Sequence, residues 1–169
     1  VQQILSLPNA REDEARHKIR KSAREVFPEI FGDKAAMAQE VFYTYVRAEH
    51  LKHLSVIEGG KEFLLEMDAR NIPLGVVSNK RDDVLQQEVI ALGWSPFFRV
   101  VVGAGVAARD KPAADPLLLA AAQINIIESP ERVWYIGDTE TDMQAAIAAQ
   151  MQPVFIEHGL GTRADCHNA

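Results

Sequence analysis

With 169 residues, the chain has the length of one domain, or of one domain with an insertion, and can bury about two thirds of the surface its unfolded form exposes. Its 47% hydrophobic and 25% charged residues are those of a globular protein, and no apolar run approaches the ~18 residues of a membrane span. The net charge of −6 argues against nucleic acid or an anionic membrane surface as partner; the single Cys166 excludes an intrachain disulfide and fits a reducing cytoplasm.

Residues 1 to 57 read as a helical module without a convincing strand. Val1 to Leu5 carries neither a basic leader nor a cleavable apolar segment, and without an initiator methionine it reads as an internal start. Asn9 with Glu12 forms a capping-box pattern that opens a helix running to about Val26, with Pro28 ending it. Its face carries Arg16, His17, Lys18, Arg20, Lys21 and Arg24; a solvated face relieved by Glu12, Asp13, Glu14 and Glu25 is a simpler account than an anion-binding surface. Asp33 starts a second helix in which Met37, Val41, Tyr45 and Ala48 form a packing stripe. His50 and His53 near its end fit a helix C-terminus better than a metal site, because no third ligand lies nearby in sequence.

From residue 58 to 169 the rhythm changes to alternating helix and strand. Lys61 to Arg70 reads as a helix with Phe63, Leu64 and Met67 inward and Asn71 at its C-cap, followed by a strand from Leu74 to Ser78. Arg81 to Leu92 is a helix closed by Gly93, and Arg99 to Gly103 a second strand. Pro112 opens a helix to about Gln123, and Arg132 to Ile136 is a third, buried strand whose end turns sharply at Gly137. A helix from Thr139 to Gln150 and a strand from Gln152 to Ile156 complete the pattern, before a frayed tail. Short apolar strands separated by helices define the α/β class, a doubly wound parallel sheet covered on both faces.

Parallel strands bring their carboxyl ends to one edge, where ligands bind in such folds. Three polar features fall there: Ser78-Asn79-Lys80, Lys111-Pro112, and Gly137-Asp138-Thr139-Glu140-Thr141-Asp142. A hydroxyl and a backbone amide suit a phosphate oxygen, a lysine supplies positive charge, and paired aspartates suit Mg²⁺. Singly, Ser78 reads as a turn residue, Lys111 as a solvated lysine, and Asp138 and Asp142 as complements of a helix N-terminus. Their joint order makes a phosphoryl site the better reading. Trp94, Phe97 and Phe98 read as core packing rather than an exposed patch, and Arg20 and Arg109 as candidate substrate contacts.

These motifs resemble the second, third and fourth motifs of the haloacid dehalogenase (HAD) superfamily of phosphohydrolases, in the branch with a small helical cap that includes phosphoglycolate phosphatases. The resemblance implies a Rossmann-type core over residues 58–169 and a cap over residues 1–57. It further implies that Ser78, with Asn79, binds the transferring phosphoryl group and that Lys111 neutralises it. Asp138 is implied to ligate Mg²⁺ and Asp142 to ligate or orient it. The expected activity is Mg²⁺-dependent hydrolysis of a small phosphorylated metabolite through an aspartyl-phosphate, with a phosphosugar mutase or a non-catalytic binding domain as the alternatives. The family's first motif, an apolar strand ending in Asp-x-Asp-x-Thr that supplies the nucleophile, is not in this sequence: Asp13 and Asp33 stand in polar helical context. That strand is expected between those ending at Ser78 and Ile136. The chain is therefore expected to be part of a longer one, with on the order of 20–40 residues upstream of Val1.

Overall fold

The computed structural model describes residues 21–157. The expected capping box at Asn9 and Glu12, the basic residues up to Arg20, Asp13, the tail after Gly159 and Cys166 lie outside them.

Helix α1 spans Ala23–Phe31 and contains Pro28 rather than ending at it. The helix opens at Ser22, whose carbonyl accepts from the amides of Glu25 and Val26, and it carries Pro28 at the cost of one backbone bond. A 3-10 turn over Gly32–Lys34 leads into α2, Ala35–Glu49. Its inward face is not the expected stripe: Ala38 and Tyr43 are buried, whereas Met37 is 60% and Tyr45 68% exposed. The aromatic seam decides the rotation, with the Phe27 ring 5.0 Å from Phe31 and 5.4 Å from Phe42, and Phe42 5.0 Å from Tyr43. Neither histidine after α2 joins a metal cluster among the described residues. His50 instead reaches Glu88 (Nδ1 to Oε1, 3.1 Å) and Gln87 (Nε2 to Oε1, 3.2 Å).

Helix α3, Gly60–Ala69, buries Leu64 but leaves Phe63 exposed, because Gly60, Leu64 and Met67 share the inward face at helical spacing and Phe63 lies off it. The C-cap is Arg70 rather than Asn71, which follows it in the left-handed conformation that ends a helix (φ 56°). Strand β1 (Leu74–Arg81), helix α4 (Asp82–Ala91), strand β2 (Phe98–Ala104), helix α5 (Asp115–Gln123), strand β3 (Trp134–Gly137), helix α6 (Glu140–Ala148) and strand β4 (Gln152–Phe155) complete the described chain. The Lys111-Pro112 peptide is cis and belongs to a loop; α5 opens at Asp115, with Pro116 in its first turn where no amide is needed. Trp94, Phe97 and Phe98 are half-buried, as packing residues.

All strand pairing is parallel, in two ladders: β1 with β2, and β3 with β4. Among the described residues β1 and β3 share no ladder, and no strand lies between them. One helical layer spans both pairs: Leu117 and Ala121 of α5 pack with Ala145 and Ala146 of α6, and both Val77 of β1 and Tyr135 of β3 lie against that cluster. A shared layer aligns the carboxyl ends of β1 and β3 at one edge. The opposite face of β3 is not buried as expected: Trp134 is 70% exposed, and Ile136 is exposed as well, since only the Tyr135 face meets α5 and α6. No helix of the described residues is long and apolar enough to cross a membrane.

Candidate active site

Ser78, Asn79 and Lys80 do not follow β1 as a loop; they form an irregularity within it. The ladder pairs Val77 with Val102, breaks, and resumes with Arg81 opposite Ala104. The break frees three residues from pairing and turns their side chains to local use. Ser78 Oγ accepts from the Lys80 amide (3.1 Å), and its own proton has no acceptor among the described residues. The Asn79 amide pairs twice with the Lys111 backbone, Nδ2 donating to the carbonyl (2.9 Å) and Oδ1 accepting from the amide (3.1 Å). An asparagine in β1 thus holds the lysine's peptide as a neighbouring strand would.

The Lys111 ammonium is turned inward. Its three protons meet three acceptors: Asp142 Oδ1 at 2.6 Å, the Tyr135 hydroxyl at 2.8 Å and the Val77 carbonyl at 3.3 Å. Tyr135 in turn donates to the Val77 carbonyl (3.0 Å). Two side chains therefore satisfy a β1 carbonyl on the edge that faces β3. Lys111 and Asp142 are a buried pair, their side chains 8% and 9% exposed. Burial pushes the Asp142 carboxyl up, but the Lys111 charge and the hydrogen bonds from Lys111 and Thr139 more than offset it, and its pKa is lowered. Burial, then the charge of Asp142, pushes the Tyr135 phenol well above its ordinary value, so it stays protonated as a donor.

Asp142 is also the third residue of a capping box. Thr139 N–H (3.1 Å) and Thr139 Oγ1–H (2.6 Å) donate to its Oδ2, while its own amide donates to Thr139 Oγ1 (3.3 Å). Gly137 serves this approach rather than a sharp turn. Its φ is not positive, but a Cβ there would lie 2.4 Å from Asp142 Cβ. Asp138, the next residue, is half-buried, and among the described residues its carboxylate makes no hydrogen bond.

The structure thus joins Asn79, Lys111 and Asp142 through direct hydrogen bonds, with Ser78 following Val77 on one side and Asp138 following Gly137 on the other. As donors for a hard cation the two aspartates differ: among the described residues Asp138 has its oxygens uncommitted, whereas both oxygens of Asp142 are engaged. A Mg²⁺ held by one or two carboxylates, substrate phosphate and water would fit Asp138 as a ligand. Among the described residues no group of three His, Cys, Asp or Glu side chains could hold a metal. Arg109, an expected substrate contact, pairs with Asp115 (2.8 Å). Tyr135 had no functional reading from sequence, and Arg24 was read only as part of a basic helix face; Tyr135 is the inward residue of an alternating strand, and a hydroxyl there was the available signal.

Residues 2–156 match the family model for haloacid dehalogenase-like hydrolases. Phosphoglycolate phosphatase of Escherichia coli K12 is 36% identical over 93 residues, 55% of this chain but only 36% of that protein. Among solved structures, a haloacid dehalogenase-like hydrolase from Bacteroides fragilis superimposes with a TM-score of 0.88 at 19% identity, covering 99% of this chain and 80% of that one. A haloacid dehalogenase-like family hydrolase from Streptococcus pneumoniae gives 0.81 at 24% identity, covering 99% and 78%. The chain belongs to the haloacid dehalogenase-like hydrolase family.

Proposed function

We propose that the complete protein is a phosphatase that hydrolyses a small phosphorylated metabolite in the cytoplasm, using Mg²⁺, with residues 1–57 as cap and 58–169 as catalytic core. The observation that carries this reading is the Lys111 ammonium, held by three acceptors on β1, β3 and α6, with Asp138, whose carboxylate makes no hydrogen bond among the described residues, directly after β3. Ser78 Oγ–H donates to a phosphoryl oxygen, and Lys111 places its charge beside the phosphoryl group and the attacking carboxylate. Asp142 holds that ammonium by hydrogen bond and charge; its engaged oxygens favour the orienting role over direct ligation. Asp138 would hold Mg²⁺, which supplies charge neutralisation on the phosphoryl oxygens when bound. The nucleophile would be an aspartate that these 169 residues do not supply: its oxygen bonds phosphorus as the ester oxygen leaves with the alcohol, and water then hydrolyses the aspartyl-phosphate to free phosphate.

The test is a panel of small phosphomonoesters, 2-phosphoglycolate among them, incubated with the protein made from its complete reading frame. Phosphate release that requires Mg²⁺ and stops with a chelator supports the reading. Release from no member of the panel, with the protein folded and metal present, overturns it. Product analysis on phosphosugars separates hydrolysis from mutase chemistry.

A further inference from the structure

Lys111 is mounted on a loop in which the preceding residue, Asp110, is 2% exposed. A carboxylate this deep needs partners. It has one within the loop, the Gly105 amide donating to Oδ1 at 3.0 Å, which closes residues 105–110 on themselves. The others come from a helix 86 residues away in sequence. Arg24 of α1 sets its guanidinium on both oxygens, Nε to Oδ2 at 3.1 Å and Nη2 to Oδ1 at 2.9 Å, and Nη2 also donates to the Ala108 carbonyl at 3.3 Å. The next residue of α1, Glu25, lies close enough to Asp110 for the two carboxylates to repel. The first turn of one helix therefore grips the residue before Lys111 by its carboxylate and the loop by the Ala108 carbonyl.

We propose that Arg24 is a positioning residue for Lys111, its fork on Asp110 fixing the loop that carries the lysine and tying that loop to helix α1. The lysine's own peptide is pinned on one side by Asn79 and on the other through Asp110, so releasing Asp110 removes one of two backbone anchors. The neighbouring Arg109 does not supply that anchor, since it points its guanidinium to Asp115. A planar fork delivers two parallel bonds at fixed geometry, which a lysine at position 24 would not reproduce. A misplacement of about 1 Å at a charge-stabilising group costs up to ~100-fold in turnover. The effect on catalysis rests on the phosphatase reading above; the clasp itself does not.

The experiment has two arms on the complete protein with Arg24→Ala, Arg24→Lys and Asp110→Asn. In the first, hydrogen exchange is followed at residues 104–113. The proposal predicts the Gly105 amide, which donates to Asp110, exchanging at least tenfold faster in Arg24→Ala, with β3 and β4 unchanged; wild-type protection there overturns it. In the second, on the substrate identified by the phosphomonoester panel, Arg24→Ala lowers kcat roughly 10- to 100-fold with KM within about twofold. Arg24→Lys falls between, and Asp110→Asn adds nothing to Arg24→Ala. An unchanged kcat with only a lower melting temperature makes Arg24 structural, and a raised KM at unchanged kcat makes it a substrate contact; either overturns the proposal. Absence of hydrolysis in the wild type would refute the phosphatase reading, and the exchange arm would still decide the clasp.

Discussion

Replacing Asp142 by Asn tests the buried pair on which the site is built. The amide keeps the carboxylate's shape but cannot satisfy the same neighbours. With its NH₂ toward Lys111 it faces an ammonium; with its NH₂ toward Thr139 it faces an amide and a hydroxyl that both donate to Oδ2 in the wild type. Either way a donor meets a donor, and Lys111 loses its counter-charge in a place 8% exposed. Removing one partner of a buried ion pair costs about 3–5 kcal/mol. At this chain length each kcal/mol is worth roughly 2–4 °C, so the melting temperature should fall by roughly 6–20 °C. The pH dependence carries the sign. The folded pKa of Asp142 lies below its unfolded value, so the pair's contribution is full above about pH 4, the ordinary carboxylate value, and is lost as pH falls through the depressed folded value. Urea melts of wild type and Asp142→Asn across that window should therefore converge toward acid pH. The double variant with Lys111→Met should recover part of the loss, because the stranded ammonium is gone. A cost below about 1 kcal/mol, or a difference between the two proteins that does not shrink with acid, would refute the account of the pair.

Three further variants probe its surroundings. Gly137→Ala puts a Cβ 2.4 Å from Asp142 Cβ and 2.8 Å from its Oδ2, and should cost about 1–3 kcal/mol or more in urea melts while lowering turnover. Tyr135→Phe removes the hydroxyl shared by Lys111 and the Val77 carbonyl; a loss of about 1–3 kcal/mol is expected, with secondary structure by circular dichroism retained. Glu25 has its carboxyl pKa raised, first by burial and then by the charge of Asp110, so its ionisation costs stability as pH rises through the shifted value. Glu25→Gln removes the charge that faces Asp110 and should leave stability at pH 7 unchanged or slightly higher in thermal melts.

The parts of this fold written locally were legible in the sequence. Alternation of strand and helix after Gly59 placed β1 to β4 and α3 to α6 within a few residues, because each strand is a short apolar run and each helix has a local stop such as Asn71 or Gly93. The run Thr139-Glu140-Thr141-Asp142 is itself a capping-box pattern, and it marks where α6 begins. What the sequence left open depends on tertiary neighbours. Helix α2 is apolar on so many sides that periodicity could not choose between Met37 with Tyr45 and Ala38 with Tyr43; the rings of Phe27 and Phe42 chose. The irregularity at Ser78 to Lys80 is a property of the β1–β2 ladder, and apolar pattern alone ended the strand too early. For the site, residue types at strand ends were enough to nominate Ser78, Asn79, Lys111, Asp138 and Asp142, but not to divide the two aspartates. That division came from which oxygens Lys111 and Thr139 occupy. The grip of Arg24 on Asp110 has no local signature, since its partners are separated by 86 residues.

The most direct test of the central claim is Mg²⁺-dependent phosphate release by the complete protein and its Asp138→Asn variant. Because the Asp138 carboxylate makes no hydrogen bond among the described residues, the variant should melt close to the wild type yet release no phosphate at any Mg²⁺ concentration. A folded Asp138→Asn protein that turns over phosphomonoester at the wild-type rate, with the same Mg²⁺ dependence, would contradict the assignment of this acidic turn as the cation-binding side of a phosphoryl site.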